Sequence, residues 1–104
     1  MPGKNEYSLV VTIVKEGLSD HVMNAAKKAG ATGGTVLYGR SLGSSRTIFA
    51  SIQVEPEKDI VLNIVSNEIK NKVMESINKE AGIKTEARGV IMSFKIDNII
   101  GLND

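Results

Sequence analysis

Cysteine is absent from the 104 residues, and so is tryptophan; there is one histidine, and phenylalanine and tyrosine number two each. Without cysteine there are no disulfides, no thiolate nucleophile and no zinc–thiolate site, a pattern that fits a reducing compartment. So few aromatics leave little for single-stranded bases to stack on. An excess of charge of one sign is missing too: the formal net charge is +1 and no block of like charges occurs. Phosphate-backbone or anionic-membrane binding needs a concentrated basic face, so neither a nucleic acid nor membrane insertion is expected. No run approaches the roughly 20 apolar residues that span a bilayer, and MPGKNEYS at the start carries no apolar core of signal-peptide length. The expectation is a cytoplasmic protein forming a single domain over residues 1–104, with 41% hydrophobic and 24% charged residues.

The apolar residues that remain are ordered. After a flexible polar lead (1–6), YSLVVTIVK (7–15) is rich in β-branched residues and reads as a strand. Leu9, Val11 and Ile13 lie on one face, and Val10, Thr12 and Val14 on the other. Ser19 reads as the N-cap of a helix whose narrow stripe is Val22, Ala25, Ala26 and Ala29, with Gly30 as its stop. Residues 35–40 form a second strand, and residues 47–54 (TIFASIQV) resume extended structure until Pro56. DIVLNIV (59–65) is a further strand, or the same one continued past a kink. A second helix opens at Ser66 or Asn67, buries Ile69, Val73, Ile77 and Ala81, and ends at Gly82. GVIMSFKI (89–96) is the last strand and 97–104 a tail.

Strand, helix, strand, long hairpin, strand, helix, strand is the order of an α+β, ferredoxin-like βαββαβ fold: an antiparallel sheet with two helices on one face. Two helices cover one face only, whereas the first strand and the 59–65 strand read as apolar on both. The second face is therefore expected to be buried against other copies of the chain in a closed symmetric oligomer.

No catalytic constellation is present. His21 has no second ligand at helical spacing and reads as a surface residue, so no metal site is predicted. Ser41, Ser44 and Ser45 have no neighbouring base and no nucleophile elbow, which ranks an enzyme last. The stretch GATGGTVLYGRSLGSSR (30–46) ends in a glycine- and arginine-containing loop. That loop reads either as an anion cradle or as an ordinary hairpin connection. GIKTEARG (82–89), with Lys84 and Arg88, is a helix-to-strand connector; facing the first loop across an interface it would close a cleft. Met23, Met74 and Met92 read as core or interface filling.

Taken together, IVK (13–15), GATGGTV (30–36), GRSLGS (39–44), NIVSNEI (63–69) and ARGVIMSF (87–94) resemble the PII signal-transduction family (nitrogen regulatory protein P-II). These are small cytoplasmic regulators of metabolism that form homotrimers and hold ATP or ADP between subunits. The resemblance implies that Ile13, Thr35 and Ile64 line the base pocket. It also implies that Ser41, Leu42, Gly43 and Ser44 approach the nucleotide from the loop base, with Arg88, Gly89 and Val90 at the phosphates.

By the same resemblance, 39–47 is a shortened form of the family's large mobile loop and 82–89 its phosphate loop. Serine stands at 44 and 45 where the family has arginine and a metal-contacting glutamine. Ala87-Arg88-Gly89-Val90 replaces glycine, aspartate, glycine and lysine, and Gly101 and Asn103 replace arginines. The resemblance thus implies a divergent, non-enzymatic member, with Arg88, Arg46 or Lys84 as substitute phosphate partners and a transporter or metabolic enzyme as target. The alternative is a structural or metal-handling trimer like the similarly folded divalent-ion tolerance proteins.

Overall fold

The computed structural model describes residues 6–41, 47–49, 52–53 and 57–102, with backbone alone at 47–49 and 52–53. The elements are β1 (Tyr7–Lys15), α1 (Ser19–Lys28), β2 (Thr35–Arg40), β3 (Thr47–Phe49), β4 (Ile52–Gln53), β5 (Glu57–Ser66), α2 (Asn67–Ala81) and β6 (Val90–Lys95). Four strands form one antiparallel sheet in the order β2-β5-β1-β6. Since β1 and β2 both run against β5, they are parallel to each other with β5 inserted between them, and the α1 crossover is a split βαβ unit. This is the expected ferredoxin-like plan. Within the expected extended stretch 47–54, the described residues form two short strands, β3 and β4, paired with each other. They lie in the connection between β2 and β5, outside the four-stranded sheet.

Both helices pack on one face. Val10 and Val14 of β1 and Val61 and Val65 of β5 meet Val22, Ala25 and Ala26 of α1 and Val73, Ile77 and Ala81 of α2 in one buried cluster. Fully burying a valine or isoleucine contributes about 1.5–3 kcal/mol, so this cluster is the main source of stability. Alanines on α1 let it lie close to the sheet, and Ser76 of α2 fastens it by donating from Oγ to the Ala25 carbonyl at 2.7 Å.

The helix ends follow local chemistry, with one exception. α2 is capped by Ser66, whose Oγ accepts from the Glu68 N–H at 3.0 Å, and closes where the Gly82 N–H returns to the Asn78 carbonyl. α1 ends with the Ala31 N–H donating to Ala26 and the Gly30 N–H to Lys27; Gly30 takes φ 115°, the left-handed conformation this closure requires. At its start, however, Ser19 is already helical, and Leu18 at the N-cap makes no side-chain cap bond. The missing acceptor comes from another element. Asp59 of β5, 2% exposed, accepts through Oδ2 from the Gly17 N–H at 3.0 Å and the Ser19 N–H at 3.3 Å. A carboxylate there also meets the positive end of the helix dipole.

Candidate functional site

Period-two alternation sends Leu9, Val11 and Ile13 of β1 and Ile60, Leu62 and Ile64 of β5 to the face that carries no helix. The register joins them into rows. Ile13 stands between Ile60 and Val90, Val11 between Leu62 and Met92, and Leu9 between Ile64 and Phe94. Leu37 and Thr35 extend two of these rows onto β2. Phe94 is 53% and Val90 50% exposed, so this is an open apolar surface.

One end of the surface is basic. Lys15 lies opposite Lys58, which also faces Gly39, in the row beyond Ile13. Like charges directly opposite each other on a sheet repel, and Gly39 brings no carboxylate to that row. The connector 82–89 runs into the same end. Thr85 organises it: Oγ1 donates to the Gly82 carbonyl at 2.7 Å and accepts from the Ala87 N–H at 3.2 Å, while the Thr85 carbonyl accepts from the Arg88 N–H at 3.1 Å. The Lys15 N–H donates to the Ala87 carbonyl and the Gly89 N–H to the Ala81 carbonyl. A Cβ on Gly89 would fall 2.1 Å from that Ala81 oxygen, so only glycine fits. Between buried Ala87 and buried Gly89, Arg88 is exposed at φ 54°, the one non-glycine residue with positive φ among the described residues. A left-handed arginine costs about 1–2 kcal/mol. The surrounding bonds hold it there, exposed at the end of the sheet that carries the lysine pair.

Ile13, Arg88, Gly89 and Val90 therefore come together. Ser41, half-buried just past β2, is at the same end of the sheet but across the β2 edge, three strand spacings or about 14 Å from β6. Thr35 and Ile64 lie elsewhere. Thr35 opens β2 opposite Leu62, and Ile64, 40% exposed, is four residues along β5 from Ile60, about 13 Å away. Beside Ile64 is a cleft of about 260 Å³ bounded by Thr32, Ile69 and Leu102. Leu42, Gly43, Ser44, Ser45, Arg46 and Asn103 lie outside the described residues. Two half-sites thus share one sheet face, and neither encloses a ligand. Small-molecule sites bury most of their ligand, which a bare sheet face cannot do alone.

His21 is exposed on α1, in a shallow cleft with Asn24, Lys28 and Glu80. Among the described residues no three His, Cys, Asp or Glu side chains are grouped to hold a metal ion, and no helix is long and apolar enough to cross a membrane. Two buried residues that sequence reasoning passed over are Asp59 and Asn63. Their signal was present: both interrupt an otherwise apolar strand, and both fall on its covered face.

The family model for nitrogen regulatory protein P-II matches residues 7–103. The chain belongs to this family. Solved PII structures share its fold. Arabidopsis thaliana PII bound to citrate is 21% identical with a TM-score of 0.63, covering 92% of this chain and 80% of its own. B. subtilis GlnK is 18% identical with a TM-score of 0.63 over 91% and 89%. The B. subtilis GlnK–ATP complex is 16% identical with a TM-score of 0.70 over 91% and 88%. Among curated protein sequences none matches. This PII chain thus keeps the family fold while differing at most positions.

Proposed function

We propose that this PII chain is a non-enzymatic regulator that assembles as a homotrimer and binds an adenine nucleotide, ATP or ADP, in the clefts between subunits. The observation that carries the reading is the division of the site. A base-side half (Thr35, Ile64) and a basic-end half (Ile13, Val90, Lys15, Lys58) lie on one uncovered sheet face, with Ser41 and the Arg88–Gly89 turn at its basic end. A second copy laid on that face buries the apolar rows and supplies the missing walls of the pocket. The fold shared with a GlnK solved with ATP supports the choice of nucleotide. Arg88 takes the phosphate role: a planar guanidinium pairs with phosphate oxygens through two parallel hydrogen bonds. Residues 41–44, leaving β2, respond to occupancy and contact a cytoplasmic target, a transporter or metabolic enzyme. The nucleotide's differential affinity for the two loop states is the regulatory output.

Sedimentation at micromolar concentration is expected to give a trimer, and calorimetry with ATP, ADP, AMP and cyclic dinucleotides to give heat with an adenine nucleotide. Folded single chains, or silence from all four ligands, would end the reading. Arg88→Gly sharpens it, because its two effects have opposite signs. Releasing the left-handed strain raises stability by about 1 kcal/mol, while losing a charge-assisted contact weakens nucleotide binding roughly tenfold or more.

A further inference from the structure

Asn63 is fully buried in the centre of β5, on the side facing α1. Its Nδ2 donates to the Gly33 carbonyl at 2.8 Å and approaches the Met23 sulfur at 3.7 Å, while its Oδ1 has no hydrogen-bond partner. The amide orientation is fixed by this arrangement, since a carbonyl only accepts. An apolar side chain of that volume would sit in the covered layer without leaving a buried oxygen unpaired. What the amide adds is a grip on one carbonyl of the α1–β2 connection.

That connection needs a grip. Gly33 and Gly34 are two permissive residues in a row, followed at once by Thr35, the first ladder residue of β2. The chain is pressed tightly here. A Cβ on Gly34 would lie 2.5 Å from both the Leu62 carbonyl oxygen and Asn63 Nδ2. Leu62, the residue before Asn63, is also the ladder partner of Thr35. One short piece of β5 therefore sets Thr35 twice, by backbone pairing at Leu62 and by the Asn63 strut two residues upstream of it.

We propose that Asn63 is a positioning residue for base recognition: by holding Gly33 against β5 it fixes Thr35 where the adenine ring is read. This rests on the nucleotide reading above and deepens it. Groups that recognise a ligand work within a few tenths of an ångström, and a supporting shell supplies that precision. Asn63 lies on the covered face, away from the ligand, and acts only through Gly33, Gly34 and Thr35.

The test is calorimetry of the full chain with ATP and with GTP. In Asn63→Leu, ATP affinity falls about tenfold and the preference for ATP over GTP narrows, because Thr35 is released while Arg88 still meets the phosphates. Gly34→Ala, which forces the same contact apart, gives the same result. Ser76→Ala removes a comparable bond between α2 and α1, and lowers the melting temperature without moving the preference. A wild type that binds no nucleotide overturns the parent reading and this inference with it. If the wild type binds ATP and both variants keep its affinity and preference, or if it binds ATP and GTP equally, this inference alone fails. Should the variants not fold, the side-chain amide resonances of Asn63 in the wild type decide: a shift on adding ATP supports the strut, and unmoved resonances overturn it.

Discussion

The two faces of the central strands differ in the reverse of the usual sense. Along the middle of the strands, the face covered by the chain's own helices is the more polar one. There β1 presents Ser8, Val10, Thr12 and Val14, and β5 presents Asp59, Val61, Asn63 and Val65. The register sets Ser8 opposite Val65, Asn63 opposite Val10, Thr12 opposite Val61 and Asp59 opposite Val14, so each polar residue faces a valine and the four form a diagonal chain. The middle rows of the uncovered face read Leu9, Val11, Ile13, Ile60, Leu62 and Ile64, with polar residues only in the end rows, Tyr7 opposite Ser66 and Lys15 opposite Lys58. An ordinary antiparallel sheet packs its apolar face inward and wets the other. Here three of the four polar groups in the covered layer have structural work: Asp59 caps α1, Asn63 holds Gly33, and Ser8 hydrogen-bonds to Asn67 at the start of α2. The middle of the bare face has no such work within one chain, and in the proposed trimer it is the surface that other copies cover.

The most forceful way to break this contrast is a charge at the centre of the bare face. Leu62 is flanked by Val11 on one side and Thr35 on the other. Leu62→Asp would bury a carboxylate without a partner in any assembly built on this face, at a cost of several kcal/mol per subunit. Sedimentation should show complete loss of the proposed trimer, with any nucleotide heat lost alongside it, while far-UV circular dichroism keeps both helices. A trimer that survives this substitution places its interface elsewhere.

The matching change on the covered face should do the opposite. Ile77 is fully buried between α2 and the sheet. Ile77→Ala is expected to lower stability by about 2–5 kcal/mol. Urea unfolding at a fixed high protein concentration measures this loss. Below the transition the sedimentation coefficient should not change, because the association surface is untouched.

Much of this contrast is legible in the sequence, and the part that is not has a physical reason. β1 and β2 fall where their β-branched and apolar runs lie, and the α2 cap and stop read directly from Ser66 and Gly82, because those signals are local. The α1 cap misleads because its acceptor is Asp59, some forty residues on, brought there by sheet pairing alone. Read as a run, DIVLNIV looks apolar on both faces; alternation puts Asp59 and Asn63 on one side, and only the fold shows that this side lies under α1. TIFASIQV alternates like one strand, yet its described residues 47–49 and 52–53 pair with each other, since alternation is blind to which partner is within reach. The two halves of the candidate site meet the same limit. Ile13 and Val90 are distant in sequence and joined by pairing, while Thr35 and Ile64 remain apart on the uncovered face.

The smallest effect concerns the polar diagonal itself. Thr12 is fully buried, and its Oγ1 has no hydrogen-bond partner, unlike Asp59 and Asn63, each of which satisfies a backbone group with one of its polar atoms. If the diagonal were a connected network, removing its middle hydroxyl would weaken it on both sides. If each member serves only its own backbone contact, the hydroxyl contributes nothing and carries a desolvation penalty. The geometry fits the second case. Thr12→Val keeps the branched shape and removes the unpaired group, and is expected to raise stability by about 1 kcal/mol. On a domain of this size that raises the melting temperature by roughly 4–8 °C. A fall of similar size would mean that Thr12 is bonded in solution, and that the covered face is held by one continuous polar chain rather than by separate clamps.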